Sequence, residues 1–359
     1  MNRTVRGALR NSLVTTSTLA LGASLALAGC SDGGDSDDTV GVSLIVKTTT
    51  NPFFVAMQEG AEAAAEDTGV ELTMAAGKQD GDEETQIQAI ENAMSRGDQG
   101  ILITPNGPGV EDAMIRARDA GLYVIALDTP PSDPESVDIT FATDNFLAGQ
   151  KIGEWTAAKL GGEKAVIGML NIFDDKIVSV DVQRDQGFLD GMGIDTADAA
   201  VIGDESATGQ YSGGEYEIVG HEATEGAEEG GRTGAENLLS ANPDINVLYT
   251  INEPSAYGGY EAFEAANATE GLIVASVDGG CAGIDAITGG IIGATSQQYP
   301  VKMAELGVEA IHALATTGEA PETTEGLDFF NTGVELVTDE PQDGIESITA
   351  ADGGDICWG

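Results

Sequence analysis

The chain has 359 residues and carries 61 Asp+Glu against 15 Lys+Arg, a formal net charge of −46, which excludes nucleic acid and an anionic membrane face as binding partners. Hydrophobic residues make up 41% of it, enough to exclude general disorder, and the length allows two domains with cores of their own. A high-salt habitat accounts for so acidic a surface, because dense carboxylates stay hydrated while salt screens their mutual repulsion.

Residues 1–29 hold Arg3, Arg6 and Arg10, no acid, and then the run "LVTTSTLALGASLALAG". That pattern is a signal peptide, with an apolar part too short for a stable membrane span. Leu27, Ala28 and Gly29 before Cys30 match the bacterial lipobox, so Cys30 is expected to carry a lipid anchor and residues 30–39 to form a flexible acidic tether. The mature protein is then expected outside the cytoplasm, held at the outer face of the cell membrane by lipid alone.

From Val40 onward strand and helix alternate. "VGVSLIV" is a β-branched run, and "FFVAMQEGAEAAAEDTG" repeats Phe54, Met57 and Ala61 at helical spacing. "VELTMAA", "DEETQIQAIENAMSRG", "QGILITP", "VEDAMIRARDAG" and "YVIALD" continue the alternation, which predicts a parallel sheet covered on both faces. After "SVDITFATDN" the pattern restarts with "FLAGQKIGEWTAAKLG", "KAVIGMLN", a helix around "VDVQRDQGFLDGM" and a strand around "AAVIGD". The Gly- and Glu-rich stretch "SATGQYSGGEYEIVGHEATEGAEEG" is the least regular and is read as a loop with a strand. Order returns with "GRTGAENLLSANP", "INVLYTIN", "EPSAYGGYEAFEAAN", "LIVASVDG", "GIDAITGG" and "IIGATSQQ". Two α/β units in tandem are expected.

With Cys30 lipidated, Cys281 and Cys357 remain as an even pair in an oxidising compartment, and a disulfide tying the C-terminal tail to the second unit is expected. Neither lies in a CxxC pattern, and His221 and His312 are the only histidines, so no metal and no cofactor is expected.

Loops at the carboxyl ends of parallel strands collect ligand-binding residues. Those ends present Asn51, Phe53, Phe54, Thr104, Asp128, Asn252, Asp278 and Gln298. Two aromatic rings with amides and carboxylates complement a sugar, whose C–H faces stack and whose hydroxyls donate and accept at once. Arg184 in "VQRDQGF" adds a fork of donors. Plainer roles stay open: Asp128 and Asp278 as helix caps, Asn252 as an Asx turn before Pro254, Glu253 as either, Arg184 as a surface cation. Adjacent helix positions cannot both face one core, so one phenylalanine is expected in a cleft. No G-x-S-x-G elbow is present and neither histidine falls in a motif, so an enzyme is not expected.

The segments "TTTNPFFVAMQEGAEAAAEDTG", "ILITP", "VIALD", "ATDNFLAGQ", "QRDQGF", "YTINEPSAYGGYEAF", "VASVDGG" and "GATSQQYPVKMAELGV" resemble, in order and over nearly the whole mature chain, the ribose-type periplasmic sugar-binding proteins of ABC importers. "INEPSAYGGYEA", "VDGGC" and "TSQQYP" are most similar to a fructose-binding branch. The resemblance implies a type 1 periplasmic binding protein fold: an α/β chain of two Rossmann-like lobes with parallel sheets, joined by three crossovers. The expected lobes are 40–143 plus 299–329 and 144–298 plus 330–359, with hinges near 143–146, 297–300 and 329–332. It further implies a monomer that closes on one monosaccharide, fructose before ribose or another pentose or polyol, and delivers it to an ABC permease and its ATPase.

Position by position, the resemblance makes Asn51 a sugar ligand, Phe53 and Phe54 the rings on its faces, and Asp128, Arg184, Asn252, Asp278 and Gln298 the hydrogen-bonding set. Thr129 stands where ribose binders have arginine, and Thr104 where they have asparagine. Their third aromatic falls in "HEATEGAEEG", which has none, and Phe173 in "NIFDD" is the candidate replacement. A sugar sensor feeding a chemoreceptor or sensor kinase would use the same fold and site. A sugar-responsive repressor would need a basic helix-turn-helix where the lipobox stands.

Overall fold

The computed structural model describes residues 39–359; the expected leader, Cys30 and all but the last residue of the tether lie outside the described residues. The first lobe begins with β1 (Gly41–Val46), α1 (Pro52–Thr68), β2 (Glu71–Ala76), α2 (Glu83–Arg96), β3 (Gly100–Ile103), α3 (Glu111–Asp119), β4 (Tyr123–Leu127) and β5 (Ile139–Ala142). The chain then crosses into the second lobe for α4 (Asn145–Leu160), β6 (Ala165–Asn171), α5 (Ser179–Met192), β7 (Thr208–Gln210), β8 (Glu215–Ala223), α6 (Glu228–Ala241), β9 (Val247–Thr250), α7 (Glu253–Ala265), β10 (Ile273–Asp278), α8 (Cys281–Thr288) and β11 (Ala294–Gln297). It returns for α9 (Pro300–Thr317) and β12 (Phe330–Asn331), and ends with β13 (Glu335–Val337) and α10 (Ala350–Gly354) on the second lobe.

The two sheets have the strand orders β12-β5-β4-β3-β1-β2 and β13-β11-β10-β9-β6-β8-β7. The first is wholly parallel, and the second is antiparallel only at its edges, where β13 meets β11 and β7 meets β8. Central strands such as β3 and β6 are buried along their whole length, which is why they read as near-continuous apolar runs rather than alternating ones. Each sheet has one buried apolar cluster on either face.

Local sequence sets where the helices begin and end. Asn51 accepts a hydrogen bond from the Phe53 backbone amide and Pro52 opens α1, while Gly69 closes it in the left-handed conformation. In the second lobe α4 and α5 touch backbone to backbone: a Cβ on Gly149 would lie 2.1 Å from the carbonyl oxygen of Arg184. Only glycine allows that approach, and it fixes the turn of α5 that carries the Arg184 side chain.

Two expectations are corrected. Phe330 and Asn331 pair with Phe141 and Ala142 of the first sheet, with the rings of Phe330 and Phe141 5.1 Å apart. The third crossover therefore follows residue 331 rather than 329. No strand forms at "AAVIGD": Val201 is exposed and its carbonyl accepts from Gln186. The place beside β6 is taken by β8 from the irregular stretch, folded with β7 into an edge hairpin.

Candidate functional site

The carboxyl ends of β1 and β4 in the first lobe face those of β6, β9 and β10 in the second across one cleft. Asn51, Phe53, Phe54, Asp128, Arg184, Asn252, Asp278 and Gln298 all line it. Asn51 and Asn252 act at once as helix caps and as cleft residues. Asn51 Oδ1 accepts from Phe53 N at 2.9 Å, while Asn252 Oδ1 accepts from Ser255 N at 3.1 Å and Asn252 Nδ2 donates to the Gly226 carbonyl at 3.0 Å.

The expectation of a single core-facing phenylalanine does not hold. Phe53 and Phe54 are both buried, belong to one apolar cluster and both reach the cleft wall. Their rings meet edge to face at 5.3 Å. Phe53 finds its second partner in Trp358 of the C-terminal tail, also edge-on at 5.3 Å, a surface that helix periodicity cannot foresee.

Asp128 and Asp278 follow or end strands in opposite lobes, with φ of 63° and 146°. Such backbone values cost about 1–3 kcal/mol each and persist where surrounding structure imposes them. Between the two carboxylates lies Arg184, also buried. Its Nε donates to Asn145 Oδ1 at 2.8 Å and its Nη1 to the Ile251 carbonyl at 3.0 Å. The guanidinium stands 3.8 Å from Asp128 and 3.9 Å from Asp278, beyond direct hydrogen bonding. Thr129 donates to Asp128 at 2.7 Å, and Gln298 Nε2 donates to Asp278 at 2.8 Å while its Oε1 accepts from Thr143 at 3.0 Å. Charged groups are thus held apart by their supports, with hydrogen-bonding capacity turned inward. Hydroxyls that donate and accept together match the chemistry of such a set.

Three expected residues lie elsewhere. Thr104 is fully buried, and its carbonyl accepts from Gln86. Glu253 is a brace: its carboxylate accepts from Gly279 N at 2.8 Å, Gly280 N at 3.2 Å and Thr295 Oγ1 at 3.1 Å. Phe173 lies beside the cleft with the Lys176 ammonium 4.4 Å from its ring centre. The second lobe's apolar wall comes instead from Ile172, Val180 and Ile251.

Lys47 and Asp80 also line the cleft and are absent from the sequence reading. They face each other at 4.0 Å, nearly buried. Both follow strands of the first sheet, so the strand-end rule covers them. Lys47, however, directly extends an apolar strand, and Asp80 precedes the acidic run "GDEE" that reads as solvated surface.

Burial raises several of these acids. Asp278 is pushed up to about 6, with Arg184 and the Gln298 hydrogen bond opposing. Asp80 is also raised, with Lys47 opposing. Behind the cleft, burial lifts Asp181 to about 6 and Asp185 to about 7. Burial works against the His221 imidazolium, but its hydrogen bond to Glu205 and the nearby Asp185 outweigh this and raise its pKa. A carboxyl raised above its unfolded value leaves the folded chain holding more protons than the unfolded one, so stability grows as pH falls from about 7 toward 4. A raised histidine acts in the same direction, stabilising below its folded pKa. The unliganded protein is therefore expected to melt at a higher temperature at pH 5.5 than at pH 8. Ligand affinity moves the opposite way as Asp278 loses its charge. Scanning fluorimetry and titration at constant ionic strength test both, and a melting temperature that fell on acidification would contradict the assignment.

The cleft cavity is about 30 Å³, room for about one water, because the lobes are drawn together over it. At its rim Ser179 Oγ donates to the Pro130 carbonyl at 2.5 Å and Lys176 Nζ to the Gly81 carbonyl at 3.3 Å. Among the described residues no helix is long and apolar enough to cross a membrane.

Comparison with known proteins places this geometry. The ribose import binding protein of Escherichia coli is 26% identical over 269 residues, covering 75% of this chain and 82% of that protein. The D-ribose/D-allose-binding protein of Pseudomonas aeruginosa is 28% identical over 309 residues, covering 83% and 88%. A solved ABC transporter solute-binding protein from Agrobacterium vitis with bound D-fucose shares the fold at a TM-score of 0.72 and 23% identity, covering 89% of this chain and 100% of that one. The periplasmic binding protein domain matches residues 42–320. With two parallel-sheet lobes closing over one polar cleft, the chain belongs to the periplasmic binding protein family.

Proposed function

We propose that this protein captures a monosaccharide outside the cytoplasm and delivers it, as the closed form, to an ABC permease driven by its ATPase. The observation that carries this is the spacing of Asp128, Arg184 and Asp278, buried charges from two lobes held at 3.8 and 3.9 Å. Buried charges that stand too far apart to bond one another are costly, and a polyol offers hydroxyls to bond all three as the lobes close. Phe53 and Phe54 offer rings to one face of the sugar. Ligand bound only by the closed arrangement shifts the population toward it without being chemically changed. The names of the relatives, which bind ribose or allose, support the same class.

Within that class a hexose is favoured, with fructose first. Lys47 and Asp80 add a further donor and acceptor that an exocyclic hydroxymethyl group can reach. Replacing Lys47 by methionine is expected to weaken hexose binding by roughly tenfold to a hundredfold, the value of one charge-assisted hydrogen bond, and pentose binding by much less. Equal losses for both would remove the hexose reading.

Lipidation at Cys30 and a monomeric state complete the proposal; mass spectrometry of the membrane fraction reads the first, and analytical ultracentrifugation the second. Deleting the gene in its native host is expected to abolish uptake of the labelled sugar. Uptake kept intact, with only a sugar-directed signalling response lost, would favour the sensor reading instead.

A further inference from the structure

The last residues of the chain bridge both lobes. Cys357 is joined to Cys281, the first residue of α8 in the second lobe, by a disulfide across 76 residues. One residue later, Trp358 lies in the apolar cluster of the first lobe with Phe53, while Cys357 packs against the cluster of the second. The Trp358 carbonyl accepts from Cys281 N at 2.9 Å, and its indole Nε1 donates to the carbonyl of Gln298 at 2.7 Å. Gln298 stands on the second crossover, and both it and Phe53 line the cleft. The indole does not, so it stands directly behind two ligand-facing residues. Gly280 leaves room for it: a Cβ there would come within 3.3 Å of the indole ring.

We propose that Trp358, held by the Cys281–Cys357 disulfide, is a positioning residue of the ligand site. It orients the Phe53 ring and the Gln298 backbone, so ligand affinity depends on a covalent tether outside the cleft. Beside a crossover the lobes move little relative to each other, so the indole stays in contact with both as the cleft opens. The ring contact and the indole hydrogen bond turn with the hinge, and the disulfide denies the tail the freedom to leave.

This inference rests on the sugar-binding reading, and the test separates the two. Calorimetric titration with the sugar bound by the wild type is compared for Trp358→Ala, Trp358→Phe and the double variant Cys281→Ser/Cys357→Ser, each with its melting temperature. Trp358→Ala and the double serine variant are expected to lose roughly tenfold in affinity, about one ring contact with one hydrogen bond. Trp358→Phe is expected to recover most of it by restoring the ring contact. Because Trp155 is the only other tryptophan, a Trp155→Phe background reports Trp358 alone, and its emission is expected to shift on adding sugar. Wild-type affinity in Trp358→Ala or in the double serine variant overturns the proposal, whatever the melting temperature. If Trp358→Ala does not fold, unchanged Trp358 emission on saturation overturns it. A folded wild type that binds no sugar defeats the functional reading instead.

Discussion

Replacing Arg184 by leucine is expected to abolish measurable sugar binding, with affinity falling by at least about a hundredfold. The guanidinium is the counter-charge to both Asp128 and Asp278, and breaking a buried pair by removing one partner costs about 3–5 kcal/mol. It also leaves Asn145 Oδ1 and the Ile251 carbonyl without their donor. With Arg184 gone, only the hydrogen bonds from Gln298 and the Glu253 amide still oppose burial and the facing Asp128, and the Asp278 carboxyl rises further. Lysine is a poor substitute, since a point charge on a flexible stem cannot hold Asn145 and Ile251 while facing two carboxylates. Arg184→Lys binding like the wild type would show that net charge, not the fork, matters here.

Replacing Asp278 by asparagine is expected to separate stability from function. At neutral pH this carboxylate is charged at a cost, because burial has raised it to about 6, and it crowds Glu253, which burial and Asp278 together push well above its ordinary value. Asparagine removes the charge and keeps an oxygen that can accept from Gln298. The unliganded variant should therefore melt no lower than the wild type, and higher above pH 7, while sugar affinity falls about a hundredfold through lost charge-assisted bonds. Stability given up at a binding site is a common trade. A variant that lost stability and kept affinity would place Asp278 in the fold rather than in the ligand shell.

How far the sequence carries this account depends on what each residue's signal rests on. The two parallel sheets were legible because apolar strands alternate with periodic helices, and polar residues at strand ends such as Asn51, Asp128, Asn252 and Asp278 stand out against those runs. The structure gathers them in one cleft. Lys47 and Asp80 follow the same rule but are masked, one by continuing its strand and the other by an abundance of acid. Apolar content misleads at "AAVIGD", which forms no strand and leaves Val201 exposed. Glu253 shows the limit of position alone: it adjoins Asn252, yet its carboxylate turns back to cap Gly279 and Gly280. Trp358 was unreadable for a different reason: the neighbouring Cys281–Cys357 bond was expected, but the indole's place is set by Phe53 and by a crossover whose geometry no local pattern encodes.

The most direct measurement is isothermal titration calorimetry of the chain from residue 31 onward, in low and high salt, against fructose, ribose, allose, xylose, galactose, glucose and myo-inositol. Tight one-to-one binding of a single monosaccharide is expected, a hexose with fructose first, at about micromolar or lower dissociation constant. No heat from any of them, in a sample that unfolds cooperatively, would contradict the claim that this cleft closes on a sugar.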